Sequence, residues 1–162
     1  MVAELANVLP GHTVVPEPYE ILEERGYQFA HPPTVDDYEV QLRQSLLSLR
    51  RRSPNLIFER SPLDLVAYIL ARPDADHFDV DAWRTSITGA TSSLDLIITL
   101  HPDSAHDPGL TADEATFRQD VDDILRDLVN DDEFDLEGRV PILSLDGPWL
   151  GRLQRVQAVI PR

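Results

Sequence analysis

The sequence predicts an α/β fold: a parallel sheet with helices on both faces. Short apolar runs alternate with segments of helical period, the pattern of βαβ units. Those runs are continuous rather than alternating, which suits strands buried on both sides. Ser, Thr and Pro punctuate the helix starts. At 162 residues the chain fits one domain, 1–162, and shows no internal repeat or linker.

Met1–Val8 carries Val2, Leu5, Ala6 and Leu9 at helical spacing and stops at Pro10-Gly11. No N-cap precedes it, so it reads as the back end of a helix. His12–Pro16 is a short strand, and Tyr19–Arg25 a helical turn or two ended by Gly26. Thr34 caps a longer helix with Asp36 and Asp37 in its first turn and Val35, Tyr38, Leu42, Leu46 and Leu49 on its apolar face. Arg50-Arg51-Arg52 at its end suits the helix dipole.

Asn55–Glu59 is a compact strand, followed by the N-cap Ser61 and Pro62 at the first helical position. That helix runs through Ala71. An acidic connection, Asp74–Asp81, leads to a helix over Ala82–Thr91, and Leu94–Leu100 is the clearest strand. The loop His101–Gly109 precedes an acidic helix, Thr111–Val129. Val140–Leu145 is the last strand and Pro148–Val159 the closing helix.

Composition narrows the function classes. Net charge is −15 and all 14 basic residues are Arg. Such a surface repels a phosphate backbone, so broad nucleic-acid binding is not expected. Without cysteine there is no disulfide or thiolate metal site. Apolar runs such as Leu96–Leu100 are too short to span a bilayer, and no signal-peptide pattern opens the chain. A cytoplasmic protein with no membrane partner is the expectation.

In open parallel sheets ligands bind beyond the carboxyl ends of the strands. Two strands place acidic residues there. Glu17 sits between Pro16 and Pro18, where restricted φ angles stiffen the strand end; it reads as a projecting functional carboxylate or as a solvated turn residue. Glu59-Arg60-Ser61 leaves a strand for a helix N-terminus, a place that favours anions. Glu59 could orient a hydroxyl or hydrated Mg²⁺ and Arg60 could meet phosphate, or the two form a surface ion pair beside an N-cap. Asp64 suits stabilisation of that helix start. His101 and His106 flank a loop with Asp103 and Asp107, a weak pattern for a metal site. Trp83 and Trp149 read as packing residues.

Glu17-Pro18, then Glu59-Arg60-Ser61 after an apolar strand, resembles the P-loop deoxynucleoside kinases. The longer pattern V-V-P-E-P-Y, L-E-E-R-G-Y, P-P-T-V-D-D-Y and N-L-I-F-E-R-S-P-L-D is similar to bacterial AAA-type single-domain ATPases of kinase-like fold. The resemblance covers nearly the whole chain and implies a three-layer P-loop kinase-like sheet. It implies Mg²⁺-dependent phosphoryl transfer from ATP to a nucleoside or other small hydroxyl acceptor. Glu17 and Glu59 with Arg60 would be catalytic: Glu17 the base toward the acceptor, Glu59 on Mg²⁺ or the acceptor, Arg60 on phosphate. The acidic helix would be the lid, with Arg118, ahead of Arg126, as the nucleotide contact. The acceptor pocket would come from the segments 26–52 and 71–91.

One part of that pattern is missing. These families begin with a strand, the loop G-x-x-x-x-G-K-S/T and a helix, whereas this chain starts inside what resembles that helix and contains no lysine. The first strand, normally central, and its phosphate loop are therefore expected to be absent, leaving two strand edges exposed. An internal start of a longer chain, a natural degenerate enzyme and an unrelated α/β protein remain alternatives. Little or no catalysis is expected of these 162 residues, and an ATPase without acceptor or a non-catalytic regulatory protein are the rival functions.

Overall fold

The computed structural model describes residues 2–9, 11–51, 53–101 and 109–160. Helices and strands alternate in them: α1 (Val2–Val8), β1 (Thr13–Val15), α2 (Pro18–Glu24), α3 (Val35–Leu49), β2 (Leu56–Phe58), α4 (Pro62–Leu70), α5 (Val80–Thr91), β3 (Ile97–Leu100), α6 (Ala112–Asn130), β4 (Ile142–Leu145) and α7 (Trp149–Val159). Both strand pairings are parallel.

The single sheet of the sequence reading is corrected to two. β1 pairs with β2, and β3 with β4, but β2 and β3 are not hydrogen-bonded to each other. Each strand is also shorter than expected. Leu94 N–H closes a turn onto Thr91 C=O at 3.0 Å, which ends α5 and delays β3. Val140 N–H returns to Leu136 C=O at 3.2 Å in the same way, so β4 starts only at Ile142.

Alternation of side chains about β3 and β4 builds two apolar layers. Ile97 and Ile142 face a large core formed by Leu42 and Leu46 of α3, Leu63 and Ile69 of α4, Ile87 of α5, and Val121 and Leu125 of α6. Ile98 and Leu143 face a smaller one, where Leu5 of α1 and Val156 of α7 meet Leu145. Helices therefore cover both sides, as the apolar strands predicted. α4 is buried nearly all round, packed between α3 and α6. That accounts for its apolar sequence, PLDLVAYIL.

The expected caps form. Ser61 and Asp64 make a reciprocal capping box at α4, with the Ser61 N–H 2.8 Å from Asp64 Oδ2. Thr34 and Asp37 do the same at α3. The acidic stretch 74–81 is more ordered than a connection: it holds a 3₁₀ turn at Ala75–His77, and Asp79 caps α5 two residues earlier than predicted. α3 buries Gln41, Gln44, Ser45 and Ser48 beyond its apolar stripe. Arg25 explains part of this, donating to Gln44 Oε1 at 2.9 Å where α2 packs against α3.

Asp37 is 4% exposed. Burial works to raise its carboxyl, but donors from Thr34, Tyr27 and Ala30 outweigh burial and hold it below the ordinary 3.8. A depressed carboxyl contributes stability above its unfolded value and loses it as pH falls through the folded one. Asp37→Asn is therefore expected to cost about 1–3 kcal/mol at neutral pH. In urea titrations that difference should shrink steadily below pH 3.8; a pH-independent difference would refute the ionised role.

Candidate active edge

The carboxyl ends of β1 and β2 lie side by side because Val15 pairs with Phe58. The residues that follow each strand consequently meet. Glu17 begins α2 without giving that helix a side-chain cap. Its carboxylate instead accepts from Arg60 Nε at 3.2 Å. The two side chains are 29% and 38% exposed, so the pair contributes about 0–1 kcal/mol. Its consequence is positional.

Arg60 is held from a second side. Its guanidinium lies 4.7 Å from the Tyr68 ring centroid, and Tyr68 stacks on Tyr38 at 5.3 Å. Burial opposes its charge, but Tyr68, Asp64 and Glu17 more than compensate and push its pKa up. The backbone there is left-handed, φ 65°, a conformation costing an arginine about 1–2 kcal/mol. Strain of this kind persists only where its surroundings over-determine it, and it concentrates at functional sites.

Glu59 is raised above the ordinary 4.5, first by burial and then by the neighbouring Glu17 charge. A raised carboxyl adds stability below its unfolded value and loses it as pH climbs through the folded one. Glu59→Gln is thus expected to match or exceed the parent's melting temperature at pH 7 and to lose any advantage below pH 4.5. A lower melting temperature for the Gln variant at pH 7 would contradict it. Two neighbouring carboxylates of like charge form a donor set that attracts a cation. Among the described residues no three His, Asp or Glu side chains are placed to hold a metal alone. Any Mg²⁺ at Glu59 would keep most of its waters, the usual mode for that ion.

Arg118 shares a cleft with two of these residues. It lies in the outward half of α6 and lines, with Glu59 and Arg60, the cleft between the two sheets. From Val121 onward α6 is anchored in the core, and Phe117 one turn earlier packs against it as well. Of the four predicted residues, Glu17 is in contact with Arg60, and Glu59, Arg60 and Arg118 line one cleft. Asp64 is instead a capping residue.

Sequence reasoning missed Tyr38 and Tyr68. With Glu17, Gln41 and Arg60 they line a cavity of about 190 Å³. Tyr19 of α2 and Leu65 of α4 complete its lining with Pro33, while Thr85, Ser86 and Gly89 of the 71–91 segment line the larger cleft. The signal was the i, i+4 spacing of Asp64 and Tyr68, which places Tyr68 one turn behind the cap and on Arg60's side. A second missed group is Asp122, whose Oδ1 lies 2.7 Å from His101 Nδ1. Of the weak metal pattern, Asp103, His106 and Asp107 lie outside the described residues, and His101 is committed to Asp122. Trp83 packs on the core beneath Arg43, at 5.1 Å, as expected; the Trp149 side chain lies outside the described residues.

No family model, curated protein or solved structure matches the chain. What fold and edge define is an α/β protein of parallel strand pairs with a strained, aromatic-backed arginine paired with a carboxylate. Among the described residues no helix is long and apolar enough to cross a membrane.

Proposed function

We propose that this chain is the acceptor-binding and catalytic edge of a P-loop kinase-like phosphoryl-transfer domain. The supporting observation is the convergence of Glu17, Glu59, Arg60 and Arg118, from three separate segments, at the carboxyl side of parallel strands. Glu17 accepts the proton of a small hydroxyl acceptor seated in the cavity that Tyr38 and Tyr68 help to line. Arg60 and Arg118 face the transferred phosphate, and Glu59 holds a hydrated Mg²⁺. The 190 Å³ cavity favours an acceptor below drug size. ATP is a different matter. Its usual grip is a Gly-rich loop and a Lys, and these residues contain no lysine. They do not fit a nucleotide triphosphate on their own, and no chemical step through ATP is derived from them.

Two measurements follow. Calorimetric titration of Mg²⁺-ATP into the chain should give no binding tighter than about 1 mM. Sub-micromolar binding would overturn the claim that the grip is missing. In a chimera carrying a strand and phosphate loop ahead of α1, ATP-dependent phosphorylation of a small hydroxyl acceptor should appear. Arg60→Gly, which keeps the left-handed backbone, should then lower it about 10³-fold or more. Release of inorganic phosphate without a phosphorylated product would favour an ATPase. A chimera that binds no nucleotide at all would favour the regulatory alternative.

A further inference from the structure

The small cavity beside Glu17 is lined mostly by hydrogen-bond acceptors and aromatic rings. Glu17 offers a carboxylate, and Gln41 a side chain only 6% exposed. Gln41 Nε2 donates to Asp37 C=O at 3.3 Å, which leaves its Oε1, an acceptor, as the group it can turn to a ligand. The Tyr19 hydroxyl is spent on Glu23, to which it donates at 2.6 Å. Arg60 is the one cation in the lining, and it is shared between Glu17 and the Tyr68 ring. A ligand that satisfies this lining must itself bring donors.

The rings decide the sign of its charge. Tyr19, Tyr38 and Tyr68 line the cavity, and the face of an aromatic ring is the negative end of its quadrupole. The Arg60 guanidinium, 4.7 Å from the Tyr68 centroid, shows that these rings take a cation. Two of them are held in place by stacking, Tyr19 on Phe29 at 4.5 Å and Tyr38 on Tyr68 at 5.3 Å, so little ordering is left for a ligand to impose. The surroundings carry the same sign. Burial first, then the charge of Glu17 and more weakly that of Glu20, raises the Glu59 carboxyl, so three carboxylates act on one small region. With a net charge of −15 on the whole chain, the field there favours a cation over a neutral molecule and opposes an anion.

We propose that this cavity seats a small hydroxylated primary amine in its ammonium form, the ammonium on the tyrosine rings and Gln41 Oε1, a hydroxyl toward Glu17. A primary amine suits it better than a quaternary one, because Gln41 Oε1 needs an N–H donor. The volume, about 190 Å³ against 300–1,000 Å³ for ordinary ligand sites, selects a compact amino alcohol. This names the acceptor class of the proposed phosphoryl transfer and rests on that reading for the cavity's role, but the binding itself needs no ATP.

The test uses serinol, glycerol and glycerate, which share one carbon frame and differ in charge. Each is titrated into the 162-residue chain at neutral pH and low salt, with the Gln41 side-chain amide and the Tyr38 and Tyr68 ring signals followed by NMR. Serinol should bind at least about tenfold more tightly than glycerol, and glycerate should not bind. Glu17→Gln should weaken serinol about tenfold, whereas Arg60→Gly, which removes the cation competing for Glu17, should strengthen it. A collapsed cavity would weaken both variants, so the opposite signs separate charge from shape. Equal affinity for serinol and glycerol, tighter binding of glycerate, or no binding of any of the three overturns the proposal. Equal affinity leaves phosphoryl transfer to a neutral acceptor standing. Serinol binding by a loop-bearing chimera that binds ATP yet phosphorylates nothing would instead remove the transfer reading and keep the cation site.

Discussion

Phe134→Ala is expected to destabilise the fold by about 3–5 kcal/mol, the cost of emptying a fully enclosed aromatic site. Phe134 is the largest fully buried side chain, 1% exposed, yet it belongs to the loop between α6 and β4. The loop is shaped to deliver it. Asp132 and Asp135 adopt left-handed φ angles of 50° and 51°. Asp132 Oδ1 accepts from the Leu136 and Glu137 N–H groups at 2.6 and 3.0 Å, so the chain folds back on itself. Helix α5 then fixes the backbone on either side: Thr88 Oγ1 donates to Phe134 C=O at 2.8 Å, and Arg84 donates to the Glu133 carbonyl. With Leu136 and Val140 also buried, the loop closes the end of the larger core. Urea denaturation of Phe134→Ala should lower the midpoint accordingly, whereas Phe134→Leu should cost less than half as much. An Ala variant within about 1 kcal/mol of the parent would mean the loop is not part of the core.

Asp122→Ala should cost a comparable amount, about 3–5 kcal/mol, because it strips a buried polar cluster of its shared acceptor. Asp122 is 6% exposed and His101 4%. The carboxylate takes His101 Nδ1–H on one oxygen at 2.7 Å and Arg126 Nε–H on the other at 2.9 Å. Arg152 adds the next link, donating to His101 C=O at 2.8 Å and to Gly147 C=O at 2.7 Å. The carboxyl ends of β3 and β4 are thereby tied to α6 and α7. Removing one partner leaves the imidazole without its acceptor in the interior, the expensive half of the asymmetry. The paired variant His101→Leu/Asp122→Leu replaces both with apolar groups and should be more stable than Asp122→Ala alone. A double-mutant cycle measured by urea denaturation decides it. If the paired variant is the less stable of the two, the cluster contributes more than the apolar substitution can recover.

The candidate edge was legible where local rules apply. Ser61-Pro62 and Thr34 announce helix starts because a cap is a short-range contact between residues two or three apart. Glu17 and Glu59-Arg60 were readable because each follows an apolar run, and strand ends in parallel sheets carry sites. Tyr68 and Asp122 were not, since each earns its place through a partner far along the chain: Arg60 for the one, His101 for the other. The burial of Gln44 on α3 was not legible for a similar reason, since it depends on Arg25 at the end of α2, which packs against α3.

By itself the sequence determined the alternation of apolar strands and capped helices, the absence of lysine, and the acidic residues that follow β1 and β2. Those depend on neighbours within a turn or on composition alone. The tertiary structure decided that the strands form two separate pairs with a cleft between them, that Glu17 meets Arg60, and that a loop phenylalanine closes the core. Each of these is a contact between distant segments. Which edges pair is settled by the hydrogen bonds available across the whole fold, and a strand's own residues do not record who stands beside it.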